Sequence, residues 1–221
     1  MSVTVDELVV ADAPEAWAAL GFDVEGGTCV VGEVRVRLDP AAGKGLAGWS
    51  LRGAAGDELD GLPTKLEDGP GRLAVGMRQE LDPARHPNGI AAIDHVVAIT
   101  PALERTVAAL QAAGLDLRRI REEPTPAGAP RQAFFRLGAT ILEVVQEPDE
   151  AIERGGGSDR PAFFWGLAFI APELEATVAG LGEKVSEVRD AVQPGRRIAT
   201  LRRAAGLSLP VALMTPPAAR A

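Results

Sequence analysis

The sequence predicts an α+β fold built from repeated strand–helix–strand units, with the helices gathered on one face of mostly antiparallel strands. Three observations carry that expectation. A strand–proline–helix–glycine pattern occurs three times along the chain. Each copy is followed by short strand-like runs. The 221 residues, 46% hydrophobic and 24% charged, supply enough apolar surface for a real core.

The first copy is VDELVVADAPEAWAALGF, from Val5. An apolar strand leads to Ala13-Pro14, then to a helical run that stops at Gly21. Proline is tolerated in a first helical turn, where its missing N–H has no intrahelical partner to lose. Asp12 is the expected N-cap, and Gly21 suits the left-handed closing residue. TCVVG and VRVRLD read as the strands that follow. Residues 41–89 are rich in Gly, Pro and Asp, with strands expected at AGWSLRG and RLAVGMRQ. This stretch reads either as a degenerate copy that lost its helix or as a closing flap.

The middle copy, IDHVVAITPALERTVAALQAAG, runs from Ile93 to Gly114. Thr100 is the expected cap before Pro101. Leu103, Val107 and Leu110 form a helical stripe that belongs to the core. LDLRRIRE, RQAFFRLG and TILEVVQ read as three strands. Residues 147–161 read as a linker made flexible by the glycine triplet 155–157. The third copy, FWGLAFIAPELEATVAGLG, starts at Phe164, passes Ala171-Pro172 and stops at Gly182. KVSEVRD, RRIATLRR and LPVALMT are its expected strands.

A net charge of −8 argues against a nucleic-acid partner or an anionic membrane. Cys29 is the single cysteine, which excludes an intrachain disulfide and a cysteine metal cluster. The first residues show neither a basic n-region nor an apolar h-region, and nowhere do 18 apolar residues run together, so a soluble, cytoplasmic protein is expected. No phosphate-binding glycine loop and no GxSxG element stands between a strand and a helix.

The chemistry-bearing residue of the middle copy is His95, set inside an apolar strand. Ile93, His95 and Val97 share one face, and Asp94, Val96 and Ala98 the other. On the last strand of the copy, Ile141, Glu143 and Val145 share a face. A carboxylate on an apolar strand is costly unless it is paired or coordinated.

This arrangement resembles the vicinal oxygen chelate superfamily, which includes glyoxalase I, bleomycin resistance proteins and extradiol dioxygenases. IDHVV followed by a helix, then FFRLG and ILEVV, carries the resemblance, most strongly over residues 90–217. It implies βαβββ units forming curved mixed sheets around a cavity, helices outside. It also implies an N-terminal unit with its degenerate or flap segment over 1–89 and a two-unit glyoxalase-like domain over 90–221. His95 takes the place of the first-strand metal ligand and Glu143 that of the last-strand ligand, for one divalent ion such as zinc, manganese, nickel or iron.

The same alignment places Gly166 and Ala212 of the third copy, and Glu7 and Arg37 of the first, where the partner ligands would stand. The ligand set is therefore incomplete, with His86 and Glu7 as named candidates for a third position. Asp94 points to the face opposite His95. Phe164, Gly166, Ala212 and Met214 are expected to line an apolar ligand pocket, with Trp165 on the helix side. Of the arginines 131, 136, 196, 197, 202 and 203, most are expected on a solvated face and one is a candidate clamp for a carboxylate or phosphate. The expectation for function is a glyoxalase-like protein that binds a small organic molecule beside an incomplete metal site, as a sequestering protein or with His95 as general base. The alternative is a divergent metal-dependent lyase, isomerase or dioxygenase. The resemblance leaves a homodimer open as the assembly.

Overall fold

The computed structural model describes residues 2–67, 86–125 and 128–217. The expected strand at RLAVGMRQ lies outside them. In chain order, β1 (Thr4–Val10) leads through α1 (Pro14–Ala18) to β2 (Thr28–Val31) and β3 (Val34–Leu38), and β4 (Leu46–Arg52) and β5 (Thr64–Glu67) follow. The middle copy is β6 (Ala92–Thr100), α2 (Leu103–Ala112), β7 (Asp116–Arg121), β8 (Gln132–Leu137) and β9 (Thr140–Gln146). A short helix, α3 (Asp149–Arg154), precedes β10 (Phe163–Ile170), α4 (Leu174–Leu181), β11 (Arg189–Asp190), β12 (Arg197–Thr200) and β13 (Val211–Met214). The fold is α+β with mixed sheets.

The glycines that end the three helical runs all take positive φ, 81° at Gly21, 85° at Gly114 and 57° at Gly182. That conformation costs glycine no Cβ clash. The start signals need correction. Only Pro14 lies inside a first turn; α2 and α4 begin two residues beyond Pro101 and Pro172. Thr100 Oγ1 does accept the Ala102 N–H, at 3.0 Å. Asp12 is not a cap: it accepts the Trp17 indole N–H at 3.0 Å and the Ser208 N–H at 2.8 Å. The stretch 147–161 contains α3 rather than a bare linker, and KVSEVRD contributes only the two residues of β11.

In each copy the first strand lies parallel to the last, β1 beside β3, β6 beside β9 and β10 beside β13. The neighbouring pairs β2–β3, β7–β8, β8–β9 and β12–β13 are antiparallel. This topology brings a residue of the first strand beside one almost fifty positions later, and it is what makes a paired site in one copy feasible.

The described chain divides into two compact units, each interleaved along the sequence. Unit I takes its residues from 1–6, 48–69 and 95–165, and unit II from 7–47, 70–94 and 166–221. In unit I the order β6-β9-β8-β7 holds. Val96, Ala98 and Thr100, Leu142 and Val144, and Ala133, Phe135 and Leu137 are all buried, as are Leu103, Val107 and Leu110 of α2. Strand alternation puts these strand residues on one face, and the helical stripe closes it. The opposite face carries His95, Ile99, Ile141, Glu143, Val145 and Phe134, all half-buried.

Unit II holds the strand orders β2-β3-β1 and β11-β12-β13-β10. Its core centres on aromatic rings: Trp17 and Phe22 lie 4.7 Å apart, Phe22 and Phe169 5.5 Å, Trp17 and Phe169 6.0 Å. Trp17 is fully buried, and its indole N–H is satisfied by buried Asp12. Such a ring pair adds about 0.5–1.5 kcal/mol beyond its burial.

Candidate functional site

On the half-buried face of unit I, β9 runs between β6 and β8. His95 is the register partner of Ile141, and Val97 that of Glu143. On its other side Glu143 faces Phe134 of β8. The imidazole therefore meets the carboxylate on the diagonal, with Nε2 3.3 Å from Oε2 and side chains 14% and 16% exposed. Gln132, itself buried, donates its amide N–H to the other carboxylate oxygen, Oε1. The Gln132 carbonyl oxygen is buried and has no hydrogen-bond partner among the described residues. Around these polar groups stand the side chains of Ile99, Ile141, Val145 and Phe134.

The face continues one strand further. Arg119 of β7 is the register partner of Phe134, past a β-bulge between Leu117 and Arg119. Its guanidinium carbon sits 4.7 Å from the centroid of the Phe134 ring, within cation–π range. Sequence reading missed both Gln132 and Arg119. The signal was present in RQAFFRLG, where Gln132 shares the parity of Phe134, but parity becomes an address only once β8 is known to flank β9.

His86, a named candidate for the third ligand, is engaged within its own unit. It is buried in unit II, accepts the Asp23 N–H on Nδ1 at 3.0 Å and donates from Nε2 to the Val30 carbonyl at 3.1 Å. Its ring meets Phe22 at 5.2 Å, and burial lowers its pKa below the ordinary histidine value. With both nitrogens engaged it offers no lone pair to a metal. Glu7 is held by Arg35 at 3.5 Å and by Arg37 at 3.3 Å, and Arg37 also reaches Asp39 at 2.8 Å. The positions aligned with His95 and Glu143 thus carry an ion pair in unit II.

Asp94 pairs with Arg196 at 2.7 Å, and Arg196 also donates to the Gln193 side chain and the Thr215 carbonyl. Arg196 is buried, whereas Arg136, Arg197, Arg202 and Arg203 are exposed, as expected for most of these arginines. Phe164 lies in unit I with its ring 5.0 Å from Trp49, while Gly166, Ala212 and Met214 lie in unit II. A Cβ at Gly166 would come within 2.6 Å of the Pro210 carbonyl oxygen, so backbone approach explains this glycine without a ligand. Met214 is core, Ala212 is half-buried, and Trp165 is 47% exposed rather than covered by a helix. Burial pushes the Cys29 thiol up to about 12.

No protein-family model and no curated protein matches the sequence. Among solved structures, a xylose isomerase-like TIM barrel/4-hydroxyphenylpyruvate dioxygenase fusion protein superposes on 99% of this chain and 49% of its own, with a TM-score of 0.60 at 14% identity. The chain has the vicinal oxygen chelate fold. Two methylmalonyl-CoA epimerases are also similar over part of the chain. The one from Mycobacterium tuberculosis covers 58% of this chain and 90% of its own at 16% identity, TM-score 0.46. The one from Streptomyces coelicolor, in complex with 2-nitronate-propionyl-CoA, covers 60% and 99% at 21% identity, TM-score 0.46.

A divalent metal is common in vicinal oxygen chelate proteins. Here the donor set is one imidazole and one carboxylate. Among the described residues no group of three His, Cys, Asp or Glu side chains stands together. A catalytic ion of this kind takes about three protein ligands, so the described residues do not fit a resident metal centre.

Proposed function

We propose that the protein binds a small organic molecule on the half-buried face of unit I, with His95 and Glu143 as the polar centre and Phe134 as an apolar wall. One observation carries this reading. An imidazole and a carboxylate stand 3.3 Å apart on a strand face that also carries Val97, Ile99, Ile141, Val145 and Phe134. Placing a carboxylate among apolar groups costs several kcal/mol unless it is compensated. The fold meets that cost with two neighbours, Gln132 and His95. A ligand hydroxyl or carbonyl is the chemistry that such a couple receives, as a hydrogen-bonding anchor or as an acid–base pair with His95 taking the proton.

The same N···O spacing is what two ligands of one tetrahedral ion adopt, about 3.3 Å for bonds of about 2.05 Å. Metal therefore enters the experiment as a separate arm. Thermal unfolding is followed for the wild type, His95→Ala and Glu143→Gln against a panel of small organic molecules, then against zinc, manganese, nickel and iron. A metal-independent stabilisation at saturation, about 5–10 °C, lost in both variants, is the expected result. One ion per chain, lost in His95→Ala, favours the metal-dependent alternative. Ligand stabilisation unchanged in both variants overturns the site.

A further inference from the structure

We infer that the ligand of unit I is an organic anion, and that Arg119 is the residue that reads its carboxylate or phosphate. The inference rests on the proposal that the His95 face is the ligand site, and it names the ligand class.

Unit I places four side chains in sequence across four adjacent strands: His95 beside Glu143, Glu143 opposite Phe134, Phe134 opposite Arg119. Strand spacing puts Arg119 roughly 10 Å of backbone from Glu143. That is the span of an aromatic or short aliphatic acid lying along the Phe134 ring. Register partners project to the same face of a sheet, so the guanidinium belongs to the same surface as the His95–Glu143 couple.

The charges around it separate Arg119 from Arg118, Arg121 and Arg131, and Arg136 of β8 differs in donating to the Gly138 carbonyl at 3.5 Å. Arg118 pairs with Asp116 at 3.1 Å, Arg121 faces Glu123 at 3.8 Å, and Arg131 is shared by Glu122 and Glu104. Among the described residues Arg119 makes no ion pair; its one contact of note is the Phe134 ring. Stacking on that ring holds the guanidinium plane and leaves its N–H edges for an acceptor. A planar fork of donors matches a carboxylate or phosphate in two parallel bonds.

The opposite end of the face differs in sign. Glu143 is an acidic group and would repel a second anion, so the ligand's charge belongs at Arg119 and its uncharged oxygen function at His95. The buried Gln132 carbonyl beside Glu143 adds an acceptor with no described donor, which suits a hydroxyl or amide rather than a second carboxylate. The inferred ligand class is therefore a monoanion with one charged end, a flat or apolar middle, and a hydroxyl or carbonyl at the other end.

The probes are 4-hydroxybenzoate and its neutral counterpart 4-hydroxybenzamide. Nitrogen–proton NMR spectra record the His95 imidazole and the Arg119 Nε–H during titration of the wild type, Arg119→Gln and Arg119→Lys. The expected result is that the acid shifts both signals and binds at least about tenfold more tightly than the amide. Arg119→Gln abolishes that preference while the His95 shift survives at high probe concentration, and Arg119→Lys restores part of it. Equal affinity for acid and amide, with His95 still perturbed and Arg119→Gln without effect, overturns the anion inference and leaves the site standing. No perturbation of His95 by either probe overturns both.

Discussion

The two histidines of this chain, one in each unit, show how differently the same side chain is used. His86 in unit II spends both ring nitrogens on backbone groups and lies edge-on to Phe22. His95 in unit I faces a carboxylate across 3.3 Å on the side of the sheet away from the helix. The carboxylates follow suit. Asp94 in unit II is bound twice by a buried arginine whose other donors serve Gln193 and Thr215. Glu143 in unit I has Gln132 and His95 as neighbours on a half-buried face. Polar groups in unit II complete the architecture. Those in unit I leave an uneven surface of charge, apolar wall and, among the described residues, a buried Gln132 carbonyl without a hydrogen-bond partner.

That contrast breaks first at Arg196. Arg196→Ala leaves Asp94 without its buried partner and is expected to destabilise by about 3–5 kcal/mol. Urea denaturation measures it; a loss below about 1 kcal/mol would mean that unit II does not depend on the pair. Next comes His86. Burial lowers its pKa in the folded state, so the unfolded chain takes up a proton at a pH where the folded chain does not. Its contribution is complete above the ordinary histidine value of about 6.5 and is lost as pH falls below it. Protonation would also turn Nδ1 from acceptor to donor against the Asp23 N–H. The fall in melting temperature between pH 8 and 5 should shrink in His86→Gln, and an identical fall in both proteins would remove His86 as the cause.

The smaller effects lie in unit I. His95→Ala and Glu143→Gln are expected to change stability by about 1 kcal/mol, because Gln132 remains beside position 143 in either variant. A loss of about 3 kcal/mol in either would make the pair architectural, like that of unit II. Smallest is the response of Cys29. Held 2% exposed and with its thiol pushed up to about 12, it should resist alkylation at pH 8 until the chain unfolds. Rapid labelling of folded protein would contradict that burial.

Much of the fold was legible in the chain because its punctuation is local. Glycines that close helices, the Leu103–Val107–Leu110 stripe and the alternation of β6, β8 and β9 each depend on a few neighbouring residues. The pairing of His95 with Glu143 was legible through resemblance and strand parity together. What stayed hidden depends on distant partners. Asp12 reads as a cap beside its helix, yet it is recruited by Trp17 and by Ser208, 196 residues away. His86 sits in HPNG, a turn sequence, and nothing nearby foretells the Asp23 and Val30 backbone groups that enclose it. Gln132 and Arg119 became site candidates only when strand order set them beside Glu143 and Phe134.

The interleaving of the two units also orders their birth on the ribosome. Every segment of unit I has been synthesised by residue 165, whereas unit II still lacks residues 166–221, which supply β10 beyond Trp165 and all of β11 to β13. At about 5–20 residues per second, that interval lasts roughly 3–11 s. The strands that carry His95 and Glu143 can therefore pair during translation, while Trp17 and Phe22 wait for Phe169 to complete their ring cluster. Aggregation during synthesis should accordingly track the exposed aromatic core around Trp17 and Phe22 rather than the His95 face of unit I, and a chaperone that shields nascent chains has its work in that interval.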